Sequence, residues 1–205
     1  MVHLTKIYTK TGDGGETRLG DNSIVNKDSL LVKTMGLVDS ANAQIGLVLA
    51  MGKIGDNGRA ILNKIQNELF DLGADLCTPL INVNETGNIR ITDKMVENLE
   101  FEIDTYNMVL EELRSFVMPG GTPTSALFHV ARTKVREAEV SAWNTRKEER
   151  YINETAIRYL NRLSDLLFVM ARFYNENEHL WVPGGADMVA EQHPPKRFRD
   201  IGNAE

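Results

Sequence analysis

Apolar residues recur along most of this chain at spacings of three and four, the period of a helix with one buried face. The longest stripe runs through Ala156, Leu160, Leu163, Leu167, Met170, Ala171 and Tyr174. A second begins near Pro123 and continues through Leu127, Val130, Ala131, Val135 and Ala138. Thr122 is placed to cap that helix, and proline at a first helical position loses no hydrogen bond. Three further segments qualify: residues 34–52; 57–77, with Ile61, Leu62, Ile65, Leu69, Leu72 and Leu76; and 92–115, with Met95, Leu99, Ile103, Tyr106, Leu110 and Leu113. Breaks fall at Gly52–Gly58, Thr78–Gly87, Pro119–Gly121 and Arg146–Arg150. Five long helices with mostly short connections predict an all-α fold, a five-helix antiparallel bundle. Strand signals are sparse, which argues against an α/β sheet.

The chain reads as a single domain, residues 1–205, in three parts. Residues 1–33 are a Gly- and Thr-rich head, with a short strand-like piece at Lys6–Thr9. Residues 34–177 are the bundle. Residues 178–205 are a tail, irregular from Pro183 onward, where Gly184-Gly185 and Pro194-Pro195 fall.

Composition narrows the function classes. The 205 residues are 42% hydrophobic and 25% charged, ordinary values for a globular protein. With 23 basic against 29 acidic residues, the net charge is −6. A nucleic-acid surface is not expected from that balance, though a local basic pocket for a small anion is compatible with it. Cys77 is the only cysteine, so no internal disulfide is available. The first seven residues lack the apolar core of a signal peptide, and no apolar run approaches the ~20 residues of a membrane span. A cytoplasmic protein without membrane contact is expected.

Two regions carry candidate chemistry. Thr9-Lys10-Thr11-Gly12-Asp13-Gly14-Gly15-Glu16-Thr17-Arg18 sets glycines among hydroxyls and cations, a composition suited to cradling a polyphosphate. It is not a Walker A loop, because Asp21-Asn22 follow Gly20 where Lys-Ser/Thr would stand. A Gly-rich surface turn has the same composition. On the Pro123 helix, Arg132, Arg136 and Glu139 share one face, with His129 one turn earlier. Two arginines one turn apart repel unless an anion or carboxylates lie between them; a solvated face with an Arg136–Glu139 pair is the alternative. Asn161 and Asp165 sit beside the apolar stripe of the last helix, where either structural hydrogen bonds or contact with a nucleotide edge would suit them. The four histidines show no ligand spacing, so no structural zinc is expected. No nucleophile–base pair is visible either.

Three blocks of sequence together resemble one family. They are Lys6-Ile7-Tyr8-Thr9-Lys10-Thr11-Gly12-Asp13 with Gly15 and Thr17; Phe116-x-x-Pro119-Gly120-Gly121 followed by His129-x-Ala131-Arg132-Thr133-x-x-Arg136-x-Ala138-Glu139; and Tyr159-Leu160-Asn161-Arg162-Leu163-Ser164-Asp165. In this order, over residues 5–183, they resemble the PduO-type ATP:cob(I)alamin adenosyltransferases.

The resemblance implies a five-helix bundle that forms a homotrimer with active sites between subunits. It implies transfer of the 5′-deoxyadenosyl group of ATP to cob(I)alamin, with magnesium, giving adenosylcobalamin and triphosphate. Thr9, Lys10, Thr11, Gly12, Thr17 and Arg18 match the family's phosphate loop, and Lys27 a further ATP-contacting lysine. Arg136, Glu139 and Asn161 match nucleotide-site positions. Arg132 and Asp39 match an arginine and aspartate that pair across the subunit interface. Phe116 matches the aromatic that covers the lower face of the corrin. A cob(II)alamin reductase and a cobalamin-dependent enzyme are the implied protein partners.

The chain also departs from the family pattern. It reads Arg136-Glu137-Ala138-Glu139-Val140 where Arg-Arg-Ala-Glu-Arg is common, and Asp39-Ser40-Ala41-Asn42 where Asp-Glu-Leu-Asn is common. Glu137 weakens ATP binding if it faces the phosphates, and alters only packing if it faces solvent or a neighbouring subunit. A weakly catalytic protein that binds ATP and corrinoid, or delivers adenosylcobalamin, is the second reading.

Overall fold

A computed structural model describes residues 7–78, 87–148 and 152–185. Among them lie five α-helices: α1, Leu30–Met51; α2, Asp56–Leu76; α3, Asp93–Asn107; α4, Pro123–Glu148; and α5, Glu154–Phe173. A small antiparallel hairpin, β1 (Glu16–Arg18) and β2 (Ile24–Asn26), precedes them. The strand-like reading of the head falls in the wrong place. Lys6 lies outside the described residues, residues 7–9 are irregular and exposed, and the extended pairs form one turn further on.

Helix α1 packs on α2 and α4, α4 on α5, and α5 on α3. Their directions follow from a few contacts. The Thr34 hydroxyl bonds Ser141 and Thr145 at 2.7 and 2.8 Å, so the start of α1 meets the end of α4. At the other end, the Lys53 N–H donates to Thr124 Oγ1 at 2.9 Å. Helices α1 and α4 are therefore antiparallel. Helix α3 lies parallel to α5, because Arg158 pairs with Asp93 at their starts and Tyr106 meets Phe173 edge-on at their ends.

Most of the core lies on the stripes read from the sequence. Leu62, Ile65, Leu69, Leu72, Leu160, Leu163, Leu167 and Met170 are all buried. Each such side chain contributes roughly 1.5–3 kcal/mol on leaving water. On α4 the buried line passes through Phe128, Ala131, Val135, Ala138 and Ala142, so Val130, one residue (about 100°) off that line, is exposed.

Helix α3 stops at Asn107, short of the predicted residue 115. Leu110 still packs against the core, but Leu113 is exposed. The chain beyond is drawn into a different partnership. Met118 N–H donates to the His179 carbonyl and Trp181 N–H to the Phe116 carbonyl, both at 2.7 Å. Residues 179–181 of the predicted irregular tail are therefore paired in an isolated antiparallel bridge.

Two polar knots lock the ends. Buried Asp75, at the end of α2, accepts from Arg90 Nη1, the Ile91 N–H and Asn153 Nδ2 at 2.8, 2.8 and 2.7 Å, which gathers α2, α3 and α5. At the opposite end, Thr122 Oγ1 accepts from the Ser125 N–H at 3.1 Å, as the sequence predicts for the cap of α4. The same hydroxyl donates to the Tyr174 carbonyl at 2.6 Å. Gly121 precedes it at φ +91°, and a Cβ there would run into the Asn175 amide group. Gly121→Ala is expected to lower the thermal midpoint by several degrees, from strain of ~1–3 kcal/mol plus the displaced Asn175. Differential scanning calorimetry measures this, and an unshifted midpoint would contradict it.

Candidate active site

The outward face of α4 carries the cationic residues. Arg132 is half-buried, with its guanidinium 5.8 Å from the centre of the Phe168 ring. That is cation–π range. Its Nε is buried and has no partner among the described residues. Burial, and next the Arg136 charge, lowers the Arg132 pKa from its ordinary value. Arg136, one turn on, is exposed and forms no ion pair among the described residues. Glu139 does not pair with it: Asn161 Nδ2, from α5, donates to Glu139 Oε1 at 3.0 Å.

A groove of about 740 Å³ runs between α1 and α4, lined by Lys33, Leu37, Arg132, Arg136, Glu137 and Val140 among others. Lys33 is a cation that spacing alone did not bring into the site. Glu137 lines the same groove, but Lys134, on its own helix, holds its carboxylate with contacts of 2.9 and 3.1 Å. Lys33, Arg132 and Arg136 thus stand against one carboxylate that is already partnered. The groove is a basic patch on an acidic chain.

The Gly- and Thr-rich loop lies at one end of the bundle. The Gly20 N–H reaches both the carbonyl and Sγ of Cys77 at 2.9 Å, which anchors the hairpin to the end of α2. Lys10 sits at φ +63° and Gly15 at φ +89°, so the backbone curls between them. Thr9 and Thr11 hydroxyls touch at 2.9 Å, and Lys27 Nζ donates to the Gly12 carbonyl at 2.7 Å. Lys27 thereby closes the loop from the strand side. Thr17 is half-buried in β1, and Arg18 Nη1 donates to the Asn22 carbonyl at 3.3 Å.

Asp39 and Phe116 lie elsewhere. Asp39 is exposed on α1 and forms no bond to Arg132 within the chain. Phe116 is 78% exposed, at the bundle end opposite the loop, with Trp181 beside it at 5.9 Å between ring centres. The candidate residues therefore occupy separate surfaces of the chain: loop, α4 groove, α1 and the far aromatic edge. Trp181, Phe168, Lys33 and Lys134 belong to these surfaces without having been singled out in the sequence. Only Lys134 had a local signal, its spacing of three from Glu137.

His129 is buried, and neither ring nitrogen has a partner among the described residues. Burial first, then the Arg132 charge, pushes its pKa down to about 4, against an upward pull from Glu178. An unfolded histidine titrates near pH 6.5, so below that value the unfolded chain takes up a proton that the folded chain refuses. Stability therefore falls as pH falls from about 6.5 toward 4, by on the order of 2 kcal/mol between pH 7 and 5. His129→Leu is expected to remove that part of the pH dependence. Urea midpoints at the two pH values measure it, and equal losses in both proteins would contradict it.

This geometry describes a helical bundle with a basic groove on one face and an exposed aromatic edge at one end. The family model for cobalamin adenosyltransferase matches residues 7–174, and the chain belongs to that family. It is 47% identical over 189 residues to the corrinoid adenosyltransferase of Mycobacterium leprae, covering 90% of this chain and 99% of that one. It is 44% identical over 203 residues to the corrinoid adenosyltransferase of Bacillus subtilis, covering 98% and 99% of the two chains. Its structure matches that of a PduO-type ATP:corrinoid adenosyltransferase variant from Lactobacillus reuteri complexed with cobalamin and ATP. The TM-score is 0.77 at 34% identity, over 86% of this chain and 99% of that one. Among the described residues, no helix is long and apolar enough to cross a membrane.

Proposed function

We propose that this chain transfers the 5′-deoxyadenosyl group of ATP to cob(I)alamin, with active sites completed between subunits of a homotrimer. The observation that carries the reading is the α1–α4 groove, in which Arg132 and Arg136 stand one turn apart and neither forms an ion pair among the described residues. A triphosphate at Arg136, together with a neighbouring subunit's Asp39 at Arg132, relieves their repulsion.

In the reaction, the cobalt electron pair forms the Co–C bond to the ribose 5′ carbon. The C5′–O bond breaks, and its electron pair leaves on triphosphate. Cob(I)alamin is so strong a nucleophile that no serine, cysteine or general base is required. The protein's part is to align the two substrates and to stabilise charge on the leaving group. Arg136, Lys10 and Lys27 take the phosphate side, with Thr9, Thr11, Gly12, Thr17 and Arg18 shaping the loop. Glu139 and Asn161, already bonded to each other, present a polar edge to the nucleoside. Phe116 meets the lower face of the corrin, where an apolar ring would keep an axial ligand away from the cobalt.

Assembly supplies what one subunit lacks. The loop lies at one end of the bundle and Phe116 at the other, while Asp39 and the Arg132 Nε have no hydrogen-bond or ion-pair partner among the described residues. Pairing Asp39 of one subunit with Arg132 of the next satisfies both and brings separate surfaces together. Magnesium suits the phosphates rather than a protein cage: it keeps several waters and binds mainly through substrate oxygens, and no three His, Cys, Asp or Glu side chains cluster among the described residues. When bound, it neutralises triphosphate charge.

The test is anaerobic mixing of chemically reduced cob(I)alamin, ATP and magnesium with the protein while the visible spectrum is followed. Conversion to the adenosylcobalamin spectrum supports the reading. ATP binding without conversion would replace it with the delivery role.

A further inference from the structure

The aromatic edge at the end of the bundle is built from two strands that are far apart in sequence. Val117 bridges Leu180, the Trp181 N–H donates to the Phe116 carbonyl and the Met118 N–H to the His179 carbonyl, both at 2.7 Å. Ser115 Oγ adds a bond to the Trp181 carbonyl at 2.7 Å. Phe116 and Trp181 thus stand opposite each other in an antiparallel pair, where side chains project to the same face. Their rings meet at 5.9 Å with a 59° tilt. This lies within the range of a favourable aromatic contact. Phe116 belongs to residues 111–122, which follow the end of α3 and lie in no helix. It is 78% exposed, and Trp181 is 46% exposed. Among the described residues, Trp181 is the one aromatic ring packed against Phe116.

We propose that Trp181 is the positioning residue that holds the Phe116 ring in the orientation from which it excludes the axial ligand of the corrinoid. The inference rests on the adenosyltransferase reading above. An exposed phenylalanine on an irregular segment samples several rotamers, and freezing one of them on binding costs conformational entropy. Trp181 is itself pinned by two backbone bonds, and its bulky ring has only two side-chain torsions, so it makes a stiff wall. With that wall in place, Phe116 is set before the corrinoid arrives, and less ordering remains to be done at binding. Trp181 does not need to touch the corrin for this role.

The experiment uses the full chain with cob(II)alamin, ATP and magnesium. Electron paramagnetic resonance separates cob(II)alamin that keeps an axial ligand from cob(II)alamin that has lost it. Trp181→Ala is expected to lower the ratio of ligand-free to ligand-bound species about three- to tenfold, the range of one aromatic contact. Trp181→Phe is expected to restore most of it, because a flat ring returns. Transfer that starts from cob(II)alamin with a chemical reductant is expected to fall by a larger factor than transfer that starts from cob(I)alamin. ATP affinity by calorimetry reports whether the variants remain folded. A wild-type ratio in Trp181→Ala would overturn the inference, as would a Trp181→Phe protein as impaired as the alanine variant. If the wild-type protein itself formed neither ligand-free cob(II)alamin nor adenosylcobalamin, the adenosyltransferase reading would fail, and this inference with it.

Discussion

Arg136→Ala is expected to lower adenosyl transfer by roughly 10²–10³-fold, the usual consequence of removing one donor aimed at developing charge. Arg136 is exposed, lines the α1–α4 groove and forms no ion pair among the described residues. Its removal therefore breaks no packing, and stability is expected to stay within about 0.5 kcal/mol. Assembly should persist for the same reason, since the proposed interface pair is Arg132 with Asp39. Arg136→Lys is expected to recover only part of the rate, because a point charge replaces a two-pronged donor. Single-turnover rates, thermal melts and sedimentation measure the three quantities. A fully active alanine variant would remove Arg136 from the phosphate site.

The second large effect is expected at Phe116. Phe116→Ala removes the apolar cover from the bundle end, at a cost to ligand exclusion of ~1.5–3 kcal/mol. Transfer starting from cob(II)alamin should then slow by about 10- to 100-fold. ATP affinity should not change, because the groove and the loop lie away from this edge. Stopped-flow rates with a chemical reductant and calorimetry with ATP check both parts. Equal damage to ATP affinity would mean that Phe116 supports the fold rather than the corrin.

The two sites differ in how far they could be read in the sequence, and the reason is physical. Helix α5 was read to within a few residues because its seven-residue stripe is local information, and every residue of that stripe is buried. The Arg132–Arg136 face was legible for the same reason: a spacing of four fixes one side of a helix. The groove was not legible, because it depends on α1 lying antiparallel beside α4, and periodicity does not choose neighbours. Lys33 went unread on that account. Helix α3 was overextended because Leu110 and Leu113 keep helical spacing after Asn107. The chain beyond it is instead drawn, at residues 116–118, into a pairing with residues 179–181, more than 60 positions away. Helix α1 begins at Leu30, earlier than residue 34, where Ser29 Oγ accepts from the Val32 N–H at 3.4 Å. The three consecutive apolar residues Leu30, Leu31 and Val32 hide the helical period at that point.

Glu137 lines the groove proposed to take up phosphate. It stands where the family commonly carries arginine, and by itself it would oppose phosphate. Lys134 takes up its carboxylate, so the groove keeps the cations Lys33, Arg132 and Arg136.

The most direct measurement follows the two halves of ATP separately. ATP labelled at the ribose 5′ carbon and at the γ-phosphate is mixed anaerobically with cob(I)alamin, magnesium and the protein. A single displacement at C5′ is expected to place the carbon label in the corrinoid and the phosphate label in intact triphosphate, one for one. Phosphate label released as orthophosphate, with no carbon label in the corrinoid, would contradict adenosyl transfer.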